Sequence, residues 1–338
     1  MYNYRHQADI YTIYQQLISR GFSPKDITVF SYDDVVDAYE NPIKGQMFHT
    51  VDHIVNVYPG INAINYRRSN TSAKNLYNTM TSLSTTPEDN LFIYFNDHGG
   101  PGYLSVPDTL DNAIFANDLV KAFDTMYANH LFNKCLFMIE ACYSGSIGKL
   151  ITTPSVAVIT ASNDIESSNA AVYDESLETW ITNEFTNNFI FLIDENPQQT
   201  IGDLYESLKS LTTGSHASYY GDETIKSLYL QTFIVSPKSA VYKSRTAINL
   251  SIRGQRDASE KTLQKMSLST KNPQLRAKAR LEMLKRKTQT EKISILIEML
   301  VNRIAPDQFD LIMNDKTAPF TSTYFQVIKL FSSIMGEM

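Results

Sequence analysis

A histidine and a cysteine each follow directly on an apolar run. LFIYF (91–95) leads into Asn96-Asp97-His98-Gly99-Gly100, and LFMIEA (136–141) leads into Cys142-Tyr143-Ser144-Gly145-Ser146. An imidazole beside a thiol lowers the thiol pKa and can return a proton to a leaving amine. His98 and Cys142 are therefore the equipment of thiol-based nucleophilic catalysis, provided the two runs are neighbouring strands. Glycine after the histidine leaves a bare backbone N–H, which with the Cys142 N–H would make an oxyanion hole. By residue type alone, a buried structural cysteine and a turn histidine are the readier reading. The strand-end placement of both brings the two readings level.

That placement depends on the elements around it. LFIYF, LFMIEA, VAVITAS (156–162) and LYLQTFIV (228–235) are apolar, β-branched or aromatic runs of the length of buried parallel strands, and ITVFSY (27–32) reads as a shorter one. Between them lie helix-like segments at 6–20, 116–129, 180–193 and 201–211. The first carries Ile10, Ile13, Tyr14, Leu17 and Ile18 at helical spacing and stops at Gly21. Strands alternating with helices predict an α/β domain, a mostly parallel sheet flanked by helices, with function gathered beyond the strands' carboxyl ends. A stretch at 40–70, with Pro42, Gly45, Pro59 and Gly60, reads as irregular. After SPK (236–238) the composition changes: 254–300 is rich in Lys, Arg, Leu, Met and Gln at helical spacing, Pro306 interrupts it, and 323–335 offers one more apolar helix. The expected organisation is a catalytic domain at 1–240, a linker at 241–258 and a basic helical module at 259–338.

The 338 residues are 43% hydrophobic and 20% charged, as in ordinary globular chains, and contain no apolar run of membrane-spanning length. The opening residues MYNYRHQAD are polar and show no secretory signal. The two cysteines, Cys135 and Cys142, flank one strand-like run. Seven residues of extended chain hold them roughly 23 Å apart, beyond disulfide reach, so both are expected as free thiols. The net charge of −6 hides an asymmetry. Residues 1–244 carry 14 Lys+Arg against 27 Asp+Glu, and residues 245–338 carry 16 against 9. Two regions of opposite sign predict either mutual attraction or a tail for a polyanion. The basic stretch lacks interleaved aromatics, which argues against nucleic acid.

The motifs are more specific than their spacing. IYFNDHGGPGYLSVP and FMIEACYSGSI closely resemble the His and Cys motifs of legumains, the asparaginyl endopeptidase family of cysteine proteases. NYRHQAD (3–9) resembles the segment lining that family's primary specificity pocket, and ITASNDIESSNAAVYDE (159–175) resembles its third pocket segment. The four motifs fall in family order across most of 1–240. The resemblance implies a caspase-like fold and hydrolysis after Asn, with weaker cleavage after Asp at acid pH and no cofactor. It implies that Cys142 is the nucleophile, His98 its acid–base partner, Gly99 part of the oxyanion hole and Asn3 the residue orienting the histidine. It further implies that Arg5, His6, Glu140 and Ser168 read the Asn side chain. An Arg–Glu pair supplies the donor and the acceptor that an amide needs. Asp97 matches a family Asp preceding the histidine.

Three departures accompany the match. The family has a full strand before the NYRHQ segment, where this sequence starts, which suggests truncation. The acid that completes the pocket falls at Thr179, with Glu178 or Glu175 as substitutes. Tyr143 follows the nucleophile where Glu or Gln is frequent. The C-terminal module weakly resembles the legumain prodomain, implying an acid-activated zymogen inhibited by its own module and cleaved near Asn249, Asp257 or Asn272, in a lysosome, a vacuole or outside the cell. Rival readings are a GPI-transamidase-like catalytic subunit, a peptide ligase using the same residues, and an inactive binding protein. The His49-x-x-x-His53 spacing lacks the glutamate of a zinc helix, and Gly145–Gly148–Lys149 is misspaced for a phosphate loop, so no metal or nucleotide is expected.

Overall fold

The alternation within LFIYF is the simplest route into the fold. In a computed structural model describing residues 1, 3–107, 113–236, 253–269 and 273–304, these residues belong to strand β1 (Asn90–Asn96). Leu91, Ile93 and Phe95 pack into one apolar cluster, whereas Phe92 and Tyr94 pack into a second on the opposite face. The same division runs through β5 (Lys134–Glu140), where Phe137 and Ile139 face the first cluster and Leu136 and Met138 the second. Helices α2 (Ala73–Thr81) and α3 (Ala116–Ala128) cover the first face through Met80, Leu119, Phe123 and Met126. Helices α1 (Tyr4–Ser19), α5 (Glu184–Glu195) and α6 (Ile201–Leu211) cover the second through Ile13, Phe185, Phe189, Leu204 and Leu208. Each fully buried Leu or Phe of these faces contributes about 1.5–3 kcal/mol. This is the expected α/β architecture, a sheet between two helical layers.

The main sheet has the order β1-β5-β6-β10. β1, β5 and β6 (Val156–Thr160) are parallel, and β10 (Ser218–Gly221) joins β6 antiparallel. Among the described residues β1 has no partner on its other side. It borders a cleft of about 740 Å³ that it lines together with residues 27–32 and with Ile13 and Leu17 of α1. Short strands decorate the carboxyl ends. β2 (Gly99–Gly100), β3 (Tyr103–Leu104) and β4 (Ile114–Phe115) form one small antiparallel sheet after β1. A four-residue helix α4 (Gly145–Gly148) follows β5. After β6 come β7 (Asn169–Ala170) and the hairpin of β8 (Tyr173–Asp174) and β9 (Thr179–Trp180).

Two expected strands are absent. Residues 27–32 keep an extended course with one isolated bridge, Phe30 to Tyr66. LYLQTFIV holds a helical turn, α7 (Gln231–Ile234), with a single bridge from Tyr229 to Thr200. Its apolar residues Leu230, Phe233 and Ile234 are buried against the second face of the sheet, which periodicity alone does not distinguish from a strand. The fourth strand position is taken by β10, whose sequence SYYG is polar-aromatic and short. The expected helix at 180–193 begins later, at Glu184, because Thr179 and Trp180 are claimed by the hairpin.

Both cysteines are buried and free. Further along the chain, β11 (Arg253–Gly254) pairs antiparallel with β7. It leads into α8 (Gln255–Ser269), followed by α9 (Pro273–Ile304). Ala258 of α8 is buried with Ala170, Tyr173 and Trp180. Lys265 pairs with Glu175 at 2.8 Å, and Lys278 of α9 pairs with Glu40 at 2.5 Å. The apolar helix read at 323–335, most of the linker, and Asn249 and Asn272 lie outside the described residues, while Asp257 lies within α8. Among the described residues no helix is long and apolar enough to cross a membrane.

Candidate active site

The parallel register decides which loops meet. Asn96 of β1 sits opposite Glu140 of β5, so His98 and Cys142 each lie two residues beyond a paired position. Neighbouring strands run about 4.8 Å apart, and equal offsets deliver both side chains to the same end of the sheet. The loops also touch through their backbones. A Cβ added at Gly99 would lie 2.4 Å from the Cys142 carbonyl oxygen, so only glycine fits there. Tyr143, directly after the cysteine, holds a left-handed conformation with φ 56°, and its N–H donates to the Glu166 carbonyl. That twist turns the chain from β5 into α4. Cys142 itself is 1% exposed.

Helix α1 delivers the next group. His98 Nε2–H donates to Asn3 Oδ1 at 3.0 Å, which leaves Nδ1 as its other ring nitrogen. Arg5, the second residue of α1, is fully buried, and its Nε donates to Asn183 Oδ1 at 2.9 Å. Burial lowers its pKa to about 10, opposed by Cys142, Asp97, Asp9 and Glu140, so it remains a cation at neutral pH. His6 stacks edge-on to His98 with ring centroids 4.7 Å apart, and its Nδ1–H donates to Asn96 Oδ1 at 2.7 Å. Burial, the Arg5 charge and His98 push its pKa well below the usual imidazole value, and Nε2 has no hydrogen-bond partner among the described residues. Neutral His6 therefore keeps one buried acceptor open.

Glu140 is fully buried at the end of β5. It accepts from the Thr186 N–H at 3.1 Å and bonds Ser168, itself fully buried. Burial, then the Asp9 charge, raises its pKa to about 8, so at neutral pH it is largely a carboxylic acid. Asp97 rises to about 7 by burial, against the pull of the His98 N–H and of Arg5. Of the predicted set, Asn3, Arg5, His6, His98, Gly99, Glu140, Cys142 and Ser168 all converge on the carboxyl ends of β1 and β5. Thr179 is buried and donates to the Met1 carbonyl. Glu175 is 81% exposed and engaged by Lys265. Ligating atoms of His6, Asp97 and His98 lie within 4.8 Å of one another, inside this same cluster.

Sequence reasoning missed the support beneath Arg5. Asn183 is the N-cap of α5, yet its side chain does not cap that helix. It accepts from Arg5 and donates through Nδ2 to Asp9 Oδ2 at 2.7 Å. Asp9 stands four residues after Arg5 on α1 and also accepts from Asn96, Thr182 and His49. The signal available was the i, i+4 spacing of Arg5 and Asp9, which puts both on one helix face.

Comparison with known sequences adds an independent observation. The sequence model of the Peptidase C13 family matches residues 1–247. A hemoglobinase of Schistosoma japonicum is 31% identical over 70% of this chain and 58% of its own length. Legumain of Homo sapiens is 31% identical over 69% of this chain and 56% of its own. Vacuolar-processing enzyme beta-isozyme 1 of Oryza sativa subsp. japonica is 30% identical over 66% and 50%. The chain thus spans somewhat over half the length of such relatives.

Proposed function

Because the chain belongs to the Peptidase C13 family, we propose that it is a cysteine endopeptidase cutting peptide bonds after Asn and, more weakly, after Asp. The observation carrying this reading is the matched offset of His98 and Cys142 beyond the Asn96–Glu140 pair. The Cys142 sulfur attacks the substrate carbonyl carbon while His98 holds the thiol proton. The carbonyl oxygen becomes an oxyanion, received by the N–H groups of Gly99 and Cys142. Collapse breaks the C–N bond, and His98 passes its proton to the leaving amine. Water, deprotonated by His98, then hydrolyses the thioester. Asn3 keeps the imidazole oriented through Nε2, the part a third group plays in catalytic triads.

Arg5, His6, Glu140 and Ser168 form the pocket for the side chain before the scissile bond. The Arg5 guanidinium donates to the carbonyl oxygen of Asn. The Asn amide donates to His6 Nε2, the buried acceptor without a partner, or to Glu140. A pocket built of such groups rejects side chains that leave them unpaired, by factors of up to about 10⁴. The basic helical module at 259–338 acts as an inhibitor of its own catalytic domain. The reading is supported by its ion pairs to Glu40 and Glu175 and by Ala258 against Trp180. Family likeness to legumain and vacuolar-processing enzyme suits an acidic lysosome or vacuole.

The test is incubation near pH 5 with matched peptides carrying Asn, Asp or Ala before one bond, cuts being located by mass spectrometry. Cleavage after Asn that vanishes in Cys142→Ala is the expected result. Equal cutting after Ala, or activity surviving in Cys142→Ala, sinks the proposal.

A further inference from the structure

His49 and His53 share the irregular loop between Met47 and Val57, whose spacing does not fit a zinc helix. In the fold their Nε2 atoms turn to different carboxylates. His49, 3% exposed, donates to Asp9 Oδ1 at 2.8 Å and lies 2.7 Å from Thr182 Oγ1. His53 donates to Asp174 Oδ2 at 2.5 Å. Thr182 follows β9 and Asp174 ends β8, so the two histidines grip the base and the tip of one hairpin. We propose that His49 and His53 are positioning residues that hold the β8–β9 hairpin and, through Asp9 and Asn183, fix the Arg5 guanidinium in the pocket for the residue before the scissile bond.

The loop is built for such a grip. Its neck is closed by the Val57 N–H to the Met47 carbonyl at 2.8 Å and by Asn56 Oδ1 accepting from the Met47 N–H at 2.9 Å. Met47 is fully buried, and the Phe48 N–H donates to the Tyr4 hydroxyl of α1 at 2.5 Å. His53 adopts φ 53°, a left-handed conformation that histidine accepts more readily than most residues, and its ring lies 4.8 Å from Phe48. The carboxylates are equally committed. Asp174 Oδ1 accepts from the Ser176 N–H and hydroxyl and from the Leu177 N–H, which shapes the hairpin tip and leaves Oδ2 for His53. Asp9 Oδ1 takes His49 and Thr182, while Oδ2 takes Asn96 and Asn183. The backbone carries the grip inward: Ala171 and Thr182, and Ile181 and Val172, are bonded across the hairpin's base, which ends on Asn183 and Arg5. Loss of one clip loosens the pocket wall without touching Cys142 or His98.

The inference rests on the proposed peptidase activity, and the experiment separates the two. The full chain, brought to its active form, is compared with His53→Ala, His53→Gln and His49→Gln at pH 5 on the Asn peptide. KM, kcat, the rate of Cys142 alkylation by iodoacetamide, and hydrogen exchange at 172–183 are measured. His53→Ala is expected to raise KM about tenfold with kcat within about twofold, because a positioning contact to the pocket affects binding more than the chemical step. Alkylation stays unchanged and exchange at 172–183 accelerates, while His53→Gln, whose amide N–H reaches Asp174, recovers most of the KM. His49→Gln shifts KM in the same direction. Unchanged KM and exchange in His53→Ala overturn the proposal, as does a fall in kcat with slowed alkylation. If the wild-type chain cleaves none of the peptides, the proposed activity fails, and exchange alone decides: protection at 172–183 lost in His53→Ala sustains the clip, and protection kept overturns it.

Discussion

At the scale of single residues, backbone proximity makes the firmest demands. Gly99→Ala forces a methyl carbon to 2.4 Å from the Cys142 carbonyl, so the two loops must part. The expected result is a fall in kcat of about 10²-fold or more, the range for a lost oxyanion donor. The thermal midpoint should drop by only a few degrees, and a variant that retains full kcat would contradict this arrangement. Glu140 gives a second prediction. Its carboxyl titrates near 8 in the fold, against an ordinary value of 4.5. Between those values the folded state holds a proton that the unfolded chain has released, so stability falls as pH rises, by up to about 1.4 kcal/mol per pH unit. Urea unfolding from pH 5 to 8 should show this slope, flattened in Glu140→Gln. His98, Cys142 and their flanking motifs were legible because each sits in contiguous sequence at a strand end. Asn183 and Asp9 were not, since their roles exist only where α1 meets α5.

At the scale of elements, α1 carries Arg5 and His6, with Asn3 at its N-cap, and it is tied down at its far end. Arg20 NH2 donates to Asp194 at 2.9 Å and to the Ile193 carbonyl of α5 at 3.0 Å, with both side chains about 2% exposed. Arg20→Ala deprives the buried Asp194 carboxylate of its cation, with Gln16 still donating to Oδ2, which costs about 3–5 kcal/mol. Chemical denaturation measures the loss, and a change below about 1 kcal/mol would show that the pair contributes little. Helices α1, α3, α5 and α6 were readable from their 3.6-residue period, with Ile201–Leu211 matching to the residue, whereas α2 (Ala73–Thr81) was not read. β1, β5 and β6 were readable as apolar runs. The misreadings, 27–32 and 228–235, are apolar segments that find burial without a ladder, the second as the turn of α7. β10 escaped notice because four residues with two tyrosines carry no run at all.

At the scale of the whole molecule, Lys265 and Lys278 of the basic C-terminal helices pair with Glu175 and Glu40 of the acidic region. Burial pushes the Glu40 carboxyl up, but its bond to Lys278 and the neighbouring cations outweigh that and leave it below the usual glutamate value. A depressed carboxylate keeps its stabilising contribution at neutral pH and loses it as pH falls through the lowered value. After cleavage in 241–258, the module should therefore co-elute with residues 1–240 at pH 7 and separate only below the ordinary glutamate value of 4.5. Co-elution that is unchanged across that range would show that apolar packing around Ala258 dominates. The main sheet itself carries a consequence that belongs to isotope labelling. Among the described residues β1 bonds β5 along one side only, so its backbone amides fall into two populations in alternation. Those facing β5 should stay dark to deuterium for as long as the core survives. The others, turned to the cleft, should label within the first moments of exposure, and the strand would report from its centre on whatever enters that cleft.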